Sequence, residues 1–481
     1  MNFAIVRYLI GWMLGIESIF LLLPALTAVI YGEPELPAYL IAAAISLAGA
    51  ALLCHRKPKN TRFYAREGYV TVALCWLILA VIGALPFVLS REIPFFIDAL
   101  FETVSGFTTT GATILGDVEA LSHASMLWRC LTHWVGGMGV LVFMLIVLPL
   151  AGGQTIFLMR AESPGPSVSK MSPHMRDTAT ILYAIYFGLT VLQMILLLIG
   201  GMPFFDAICV SLGTAGTGGF GNWNDSIAHY NSAYLQNVIT VFMILFGINF
   251  SAYFLILTRK FRQAFRIEEI RVYLGVIFVF AGLIAFNVRP MFGSLRESFH
   301  HALFQVASII TTTGFSTVDF DRWPTFSRAL LVLLMFIGAC AGSTGGGIKC
   351  SRILLLGKSV KKEMMCLIHP RLVRVNKMDG QRVPHEVMRS INVFVVAYAF
   401  IFILSLLIIS LNCEDLVTCF TSVATTLNNV GPGLSLCGPT CNFGFFPPLS
   451  KCVLIFDMLA GRLELFPMLL LFTPGTWQRN K

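Results

Sequence analysis

Charge is scarce in this chain: Asp, Glu, Lys and Arg make up 12% of 481 residues, against 56% that are hydrophobic, and the mean hydropathy is +0.78. So little charge cannot cover a water-soluble globule of this size, which excludes an ordinary soluble domain. The motifs of common enzymes are missing too. There is no H-E-x-x-H, no G-x-S-x-G and no His and Asp paired on adjacent turns, so no metallopeptidase or serine hydrolase is written here. A near match to a phosphate-binding loop, GSTGGGIKCS from residue 342, fails because Ile348 separates Gly347 from Lys349 and no strand precedes it. No run of carboxylates or histidines threads the apolar segments, so no proton relay is visible. A cleaved leader is not expected either, since the first apolar run is too long for a signal h-region and no small-residue cleavage site follows.

What is present is a series of apolar runs of about 20 residues, the length that crosses a bilayer core. Ten lie near 3–30, 37–54, 69–90, 126–150, 179–201, 233–258, 271–288, 325–357, 391–411 and 450–473, which predicts an all-α polytopic membrane protein. The net charge of +9 is then a matter of placement. Counted along alternating crossings, 25 of the 34 Lys and Arg fall on one side: Arg7, 55–66, 160–176, 259–271, 352–389, Arg479 and Lys481. Such an excess marks the cytoplasmic side, so both termini are expected there, and topology rather than nucleic-acid binding accounts for the basicity. Most of the twelve cysteines sit inside apolar runs as small fillers. Cys413, Cys437 and Cys441 fall in or near outer loops, where Cys437 and Cys441 form either a disulfide or two free thiols.

One short pattern recurs four times: FTTTGAT around Gly111, TAGTGGF around Gly218, ITTTGFS around Gly314 and LNNVGPG around Gly431, with glycines 107, 96 and 117 residues apart. Each follows a segment too short to span (FFIDALFETVSG, FFDAICVSLGTA, FHHALFQVASIITT, DLVTCFTSVATT), and each unit then continues through a polar connection into another long apolar run. Non-helical backbone at membrane depth is tolerated only where it lines a watery path. Four re-entrant loops can therefore meet on one axis, where rings of carbonyls replace the hydration shell of a potassium ion. Glycine supplies the backbone geometry that keeps successive carbonyls aligned. The candidate ion-binding residues are Thr109, Thr110 and Gly111; Gly216, Thr217 and Gly218; Thr312, Thr313 and Gly314; and Asn429, Val430 and Gly431. Threonines add hydroxyl ligands, and the short helices aim their negative C-terminal ends at the cation. In the fourth loop Asn428, Asn429 and Val430 replace threonines and Pro432 follows, so an asymmetric filter is expected.

The run at 325–357 is too long for one regular span and is interrupted by GACAGSTGGGIK, which should break the helix. Gly338, Gly342, Ser343, Thr344, Gly345, Gly346 and Gly347 are thus a candidate gate below the filter, and Arg462 its candidate partner, since an unpaired charge in the last apolar run costs at least about 2.5 kcal/mol. The alternative for Arg462 is a pair with Asp457 or Glu464, at spacings that suit a helix poorly. Lys349 either meets an acidic group or snorkels to the cytoplasm. Arg129, Trp134, Asp98, Glu102 and Asp206 are expected to brace the filter from behind. Asp117, Asp225 and Asp319 could concentrate cations at the outer mouth, and His300 and His301 are expected to face outer solvent.

With these features in hand, the sequence resembles the bacterial TrkH/KtrB family of potassium transporters, within the superfamily that includes Trk and HKT proteins. The likeness rests on the four filter segments, MLWRCLTHWVGGMGVLVF at 126–143, RAESPGPSVSKMSPHMRDTA at 160–179, GACAGSTGGGIKCSRI at 338–353 and GRLELFP at 461–467, and the two helices before the first repeat place it on the TrkH branch. The resemblance implies four pseudo-symmetric helix–pore loop–helix repeats, potassium uptake at the bacterial inner membrane, a homodimer, an intramembrane gating loop at 338–347, and a TrkA-like cytoplasmic ring. That ring would bind any nucleotide, leaving potassium, the transported ion, as the only ligand of this chain. Gly111, a serine in sodium-permeable HKT relatives, favours potassium. The expected units are 1–66, then repeats at 67–160, 161–268, 269–365 and 366–481. Gated flow down the membrane potential is the leading mechanism, and symport with protons or sodium the alternative. The basic cytoplasmic loops would dock the ring, attract anionic lipid, or both.

Overall fold

The computed structural model describes residues 1–58, 64–139, 175–371, 375–413 and 415–478. Helices are numbered here in chain order. An N-terminal hairpin, α1 (Phe3–Tyr31) and α2 (Leu36–Cys54), turns at Gly32, whose φ of 68° ends α1 in the left-handed region. The two helices pack closely, with Ser46 Oγ 2.8 Å from the Leu14 carbonyl.

Four units of one design follow. The first is α3 (Ala65–Ser90), α4 (Phe96–Phe107) and α5 (His123–Gly137); the second is α6 (Met175–Ile199), α7 (Phe204–Gly216) and α8 (Ala233–Phe246), continued by α9 (Phe250–Leu257). The third is α10 (Glu268–Val288), α11 (Leu295–Ile310) and α12 (Thr325–Ile337), continued by α13 (Cys350–Ile368). The fourth is α14 (His385–Ser410), α15 (Leu416–Leu427) and α16 (Pro448–Arg462), continued by α17 (Phe466–Leu471). The middle helices α4, α7, α11 and α15 have 12, 13, 16 and 12 residues. At 1.5 Å per residue they reach about 18–24 Å, short of the roughly 30 Å hydrocarbon core. Among the described residues six helices are long and apolar enough to cross a membrane.

The structure departs from ten continuous spans in particular places. The 126–150 run begins as α5 and passes beyond the described residues, as does the motif at 160–179. The run at 233–258 is not one rod: α8 and α9 meet at 93°. Residues 246–250 lend their backbone to the glycine-rich segment instead of to a helix, with Cys340 N donating to Gly247 O at 3.1 Å and Phe250 N to Gly342 O at 3.0 Å. The 325–357 run is broken at that segment, as its glycines predict. The last run breaks after Arg462, the final residue of α16, where Glu464 and Leu465 have φ values of 56° and 69°.

Aromatic packing ties the helices of the first unit together. Trp76 and Trp128 are fully buried, and Trp128 Nε1 donates to the Gly83 carbonyl at 2.9 Å. Gly83 is small because α3 presses on α4 there: a Cβ would sit 2.9 Å from Phe107 and from Thr103.

Candidate functional site

The four short helices end in the same way. After α4, α11 and α15 come one residue in helical conformation (Thr108, Thr311, Asn428), one in the left-handed region (Thr109 φ 56°, Thr312 φ 59°, Asn429 φ 56°), one further residue without a positive φ, and a glycine at φ 80°, 88° or 99° (Gly111, Gly314, Gly431). The amide of the residue before that glycine closes the helix by bonding five residues back: Thr110 N to Ser105 O at 2.9 Å, Thr313 N to Ser308 O at 2.8 Å and Val430 N to Thr425 O at 2.8 Å. This is the Schellman closure of a helix C-terminus.

In the second unit Thr217 is the left-handed residue (φ 54°), Gly218 N bonds Gly213 O at 2.9 Å, and the positive-φ glycine is Gly219 (φ 80°). The alignment on Gly218 is therefore off by one. The counterparts of Thr109, Thr110 and Gly111 are Thr217, Gly218 and Gly219, and Gly216 belongs to the helix end. The run T-G-G offers two glycines for one role, and only the backbone conformation distinguishes them.

The corrected positions close a ring. A Cβ placed on Gly111 would strike the carbonyl oxygen of Gly218; on Gly219, that of Thr313; on Gly314, that of Val430; and on Gly431, that of Thr110. Each quarter leans its glycine on the next quarter's carbonyl, and the fourth returns to the first. Only glycine allows both the left-handed φ and this approach. The same four glycines line one side of an open cavity of about 120 Å³, with Ala112, Asn224, Ser226, Ser316 and Pro432 among its other walls.

The hydroxyls of the Thr/Gly segments are engaged by protein. Thr108 and Thr110 share a hydrogen bond of 2.8 Å, Thr311 and Thr313 one of 2.7 Å, and Thr312 Oγ1 accepts from Gly346 N at 2.6 Å. Asn429 Nδ2 donates to Thr110 Oγ1 and to the Met458 carbonyl, each at 2.9 Å, sewing the fourth quarter to the first. The threonine hydroxyls thus brace the segments against one another and against the glycine-rich segment.

The glycine-rich segment lies directly against these helix ends. Gly347 N donates to Asn428 O at 3.0 Å, Thr344 Oγ1 to Phe246 O at 3.2 Å, and a Cβ on Gly345 would lie 2.8 Å from Thr311 O. Gly338, Gly342 and Gly347 have φ of 69°, 71° and 79°, so the chain folds back in a compact turn where Ser343 Oγ bonds Cys340 O at 2.6 Å. Arg462 reaches across from α16. Its Nη1 donates to Thr344 O at 2.8 Å and Thr109 Oγ1 at 3.2 Å; its Nη2 donates to the carbonyls of Gly136 at 2.6 Å and Gly137 at 2.9 Å. Glu464 pairs with Arg352 and Asp457 with Ser405 at 2.7 Å, so the acidic residues once weighed as partners for Arg462 serve elsewhere. Lys349 donates to the Gly345 carbonyl instead of snorkelling outward. Glu269 carries no mark in sequence; its Oε1 accepts from both Ala341 N at 2.6 Å and Ser351 N at 3.0 Å, tying the segment to the first turn of α13.

Behind the ring, Glu102 on α4 holds Arg129 on α5 at 2.8 Å with both side chains buried, and also accepts from Thr113 Oγ1 and Ile114 N. Asp206 gathers Asn222 at 2.7 Å, Trp223 at 3.2 Å and Tyr230 at 2.6 Å; Asp98 meets Lys451 at 2.6 Å; and Trp134 Nε1 donates to Thr190. Of the acids beyond the glycines, Asp117 accepts from Asn224 and Asp319 pairs with Arg322, while Asp225 lies 3.7 Å from the His229 imidazole. His300 and His301 bond Gln236 and Thr317 and do not stand free in solvent. At the N-terminus of α15, Asp415 accepts from the Thr418 hydroxyl and the amides of Val417 and Thr418; led by the Thr418 hydroxyl, these bonds hold its carboxyl down at about 2. All twelve cysteines are free thiols, with Cys437 buried and Cys441 exposed.

Comparison with known proteins gives this arrangement a context. Residues 37–478 match the family described as TrkH, cation transport protein. The chain is 38% identical over 485 residues to the Trk system potassium uptake protein TrkH of Salmonella typhimurium, covering 99% of this chain and all of the relative. It is 33% identical to the Trk system potassium uptake protein TrkG of Escherichia coli, covering 98% of each. The crystal structure of the potassium transporter TrkH from Vibrio parahaemolyticus superposes with a TM-score of 0.90 at 32% identity, over 99% of this chain and 100% of that one. The chain belongs to the TrkH family, a family of multi-pass membrane transporters and not of enzymes.

Proposed function

We propose that this protein takes potassium into a bacterial cell through a gated pore whose filter is the ring of carbonyls from Thr110, Gly218, Thr313 and Val430, with those of their neighbours. The observation that carries the reading is the closed cycle of glycine-to-carbonyl contacts, which puts four extended segments about one axis. Full-length relatives named as Trk system potassium uptake proteins supply the ion. Carbonyls in a ring can replace a potassium ion's water shell, and the four helix C-termini pointing at them add a favourable negative potential.

In this reading 338–347 is the gate. It lies against the ends of α11 and α15, and Arg462 fastens it to the first quarter through Thr344 while standing as a cation barrier. The excess of Lys and Arg on one side of the spans supports an inner-membrane orientation with both termini in the cytoplasm. The units are repeats at 67–160, 161–268, 269–365 and 366–481 after two leading helices. Regulation comes from a cytoplasmic TrkA-like ring bound to a homodimer, in keeping with the Trk system of the relatives, and nucleotide acts through that ring.

Rubidium uptake into vesicles reconstituted with the purified protein tests the function. Flux driven by an imposed voltage, with no proton or sodium gradient, is the expected result. Flux that requires a proton or sodium gradient would replace the pore with a symporter.

A further inference from the structure

The second unit carries glycine at two positions where the other three carry side chains. The helix ends align Thr108, Gly216, Thr311 and Asn428, and two residues on they align Thr110, Gly218, Thr313 and Val430. In the first and third units the two threonines bond each other, at 2.8 and 2.7 Å, and stiffen the segment. Backbone conformation does not demand glycine at the second unit's positions. Gly216 is the last residue of α7, and neither Gly216 nor Gly218 has a positive φ.

Space demands it instead. A Cβ on Gly216 would strike the backbone carbonyl of His133, and one on Gly218 would land among Cγ, Cδ2 and Nδ1 of the His133 imidazole. The ring of His133, on α5 of the first unit and completely buried, fills the volume that a side chain on Gly218 would take. Its polar atoms are both used. Phe220 N lies 3.2 Å from Nε2, and because an amide can only donate, Nε2 is the bare acceptor. The hydrogen is on Nδ1, which donates to the Gly106 carbonyl at 2.7 Å. The imidazole is therefore neutral and fixed in one tautomer. It ties the last turn of α4 to the residue that follows Gly219, and its ring lies 4.2 Å from that of Phe220, which carries the Arg129 guanidinium at 4.1 Å from its centre.

We propose that His133 is a positioning residue for ion selection: its imidazole, lent by the first repeat, takes the place of the side chain absent at Gly218 in the second filter quarter and holds the Gly218 carbonyl in the ring. The proposal rests on the filter reading above.

The test compares rubidium and sodium uptake in potassium-uptake-deficient cells, with membrane content measured for each protein. Gly218→Thr sets a filter-type side chain against the imidazole and is expected to lower the rubidium-to-sodium ratio at least tenfold. His133→Ala empties the space and lowers the ratio at least threefold. The double substitution gives the threonine its room, so it should exceed Gly218→Thr alone in ratio or in membrane content. A double variant no better than Gly218→Thr on both counts overturns the proposal, and so does a His133→Ala protein with the wild-type ratio. Gly314→Ser separates the two readings. If it leaves the ratio intact, the filter reading fails; if it collapses the ratio while Gly218→Thr with His133 in place does not, the role of His133 alone falls.

Discussion

Replacing Arg462 with alanine removes the guanidinium that ties the glycine-rich segment to the first repeat. Of the four hydrogen bonds it makes among the described residues, those to Gly136, Gly137 and Thr109 stay within the first repeat, and the 2.8 Å bond to Thr344 O holds the segment. A hydrogen bond from a charged donor contributes about 1.5–3 kcal/mol net. At 1.4 kcal/mol per factor of ten, its loss multiplies the open-to-closed ratio by roughly 10 to 150. A segment open in about 1% of molecules would then be open in roughly 10–60%. The assay is rubidium flux at fixed voltage in vesicles holding equal amounts of protein, with the rubidium-to-sodium ratio measured alongside. Arg462→Lys keeps the charge but offers one compact ammonium for four acceptors, so its flux should fall between wild type and alanine. An Arg462→Ala flux within twofold of wild type, at an unchanged ion ratio, would refute the latch. A flux that rises only as discrimination is lost would assign Arg462 to the filter scaffold instead.

Other consequences are equally specific. Gly219→Ala, with φ at 80° and a Cβ on the Thr313 carbonyl, should abolish uptake while Gly188→Ala, where a Cβ meets nothing within 4 Å, leaves it unchanged; transport assays on both decide the register. Arg129→Ala leaves Glu102 buried without its charge partner and should cost about 3–5 kcal/mol, read as a lower thermal aggregation midpoint in detergent. Glu269→Ala frees two amides at the ends of the glycine-rich segment, about 1–3 kcal/mol each, and should raise resting flux, whereas Glu269→Gln retains an acceptor oxygen and should do so far less. Asp415→Ala removes the N-cap of α15, worth about 1 kcal/mol. Because its carboxyl is held down at about 2, that contribution is full at neutral pH and fades only as the pH falls below about 4 toward 2, so wild-type stability should show no loss from this group between pH 5 and 8.

Much of the architecture was legible because hydrophobic length and glycine placement are local signals. The runs that became α1, α2, α3 and α14, and the short helices ahead of each Thr/Gly set, could be read off directly. So could the break at 338–347, since glycines in such density cannot continue a helix. The 93° bend between α8 and α9 could not, because FGIN at 246–249 reads as ordinary apolar chain, and the bend exists to serve Cys340, Gly342 and Thr344 about a hundred residues away. In the second Thr/Gly segment the sequence alignment falls one residue off for a related reason. Gly218 is glycine on account of His133, an imidazole from another repeat, so composition alone favoured the wrong member of the pair. Arg462 announced itself as a charge in an apolar run, yet its four acceptors are carbonyls and a hydroxyl drawn from three parts of the chain.

The central claim is that four backbone segments form one ion site. Anomalous scattering from crystals grown in rubidium tests it most directly. The account predicts a peak on the axis enclosed by the carbonyls of Thr110, Gly218, Thr313 and Val430, lost when sodium replaces rubidium. Ordered rubidium elsewhere in the membrane region, with none inside that ring, would contradict it.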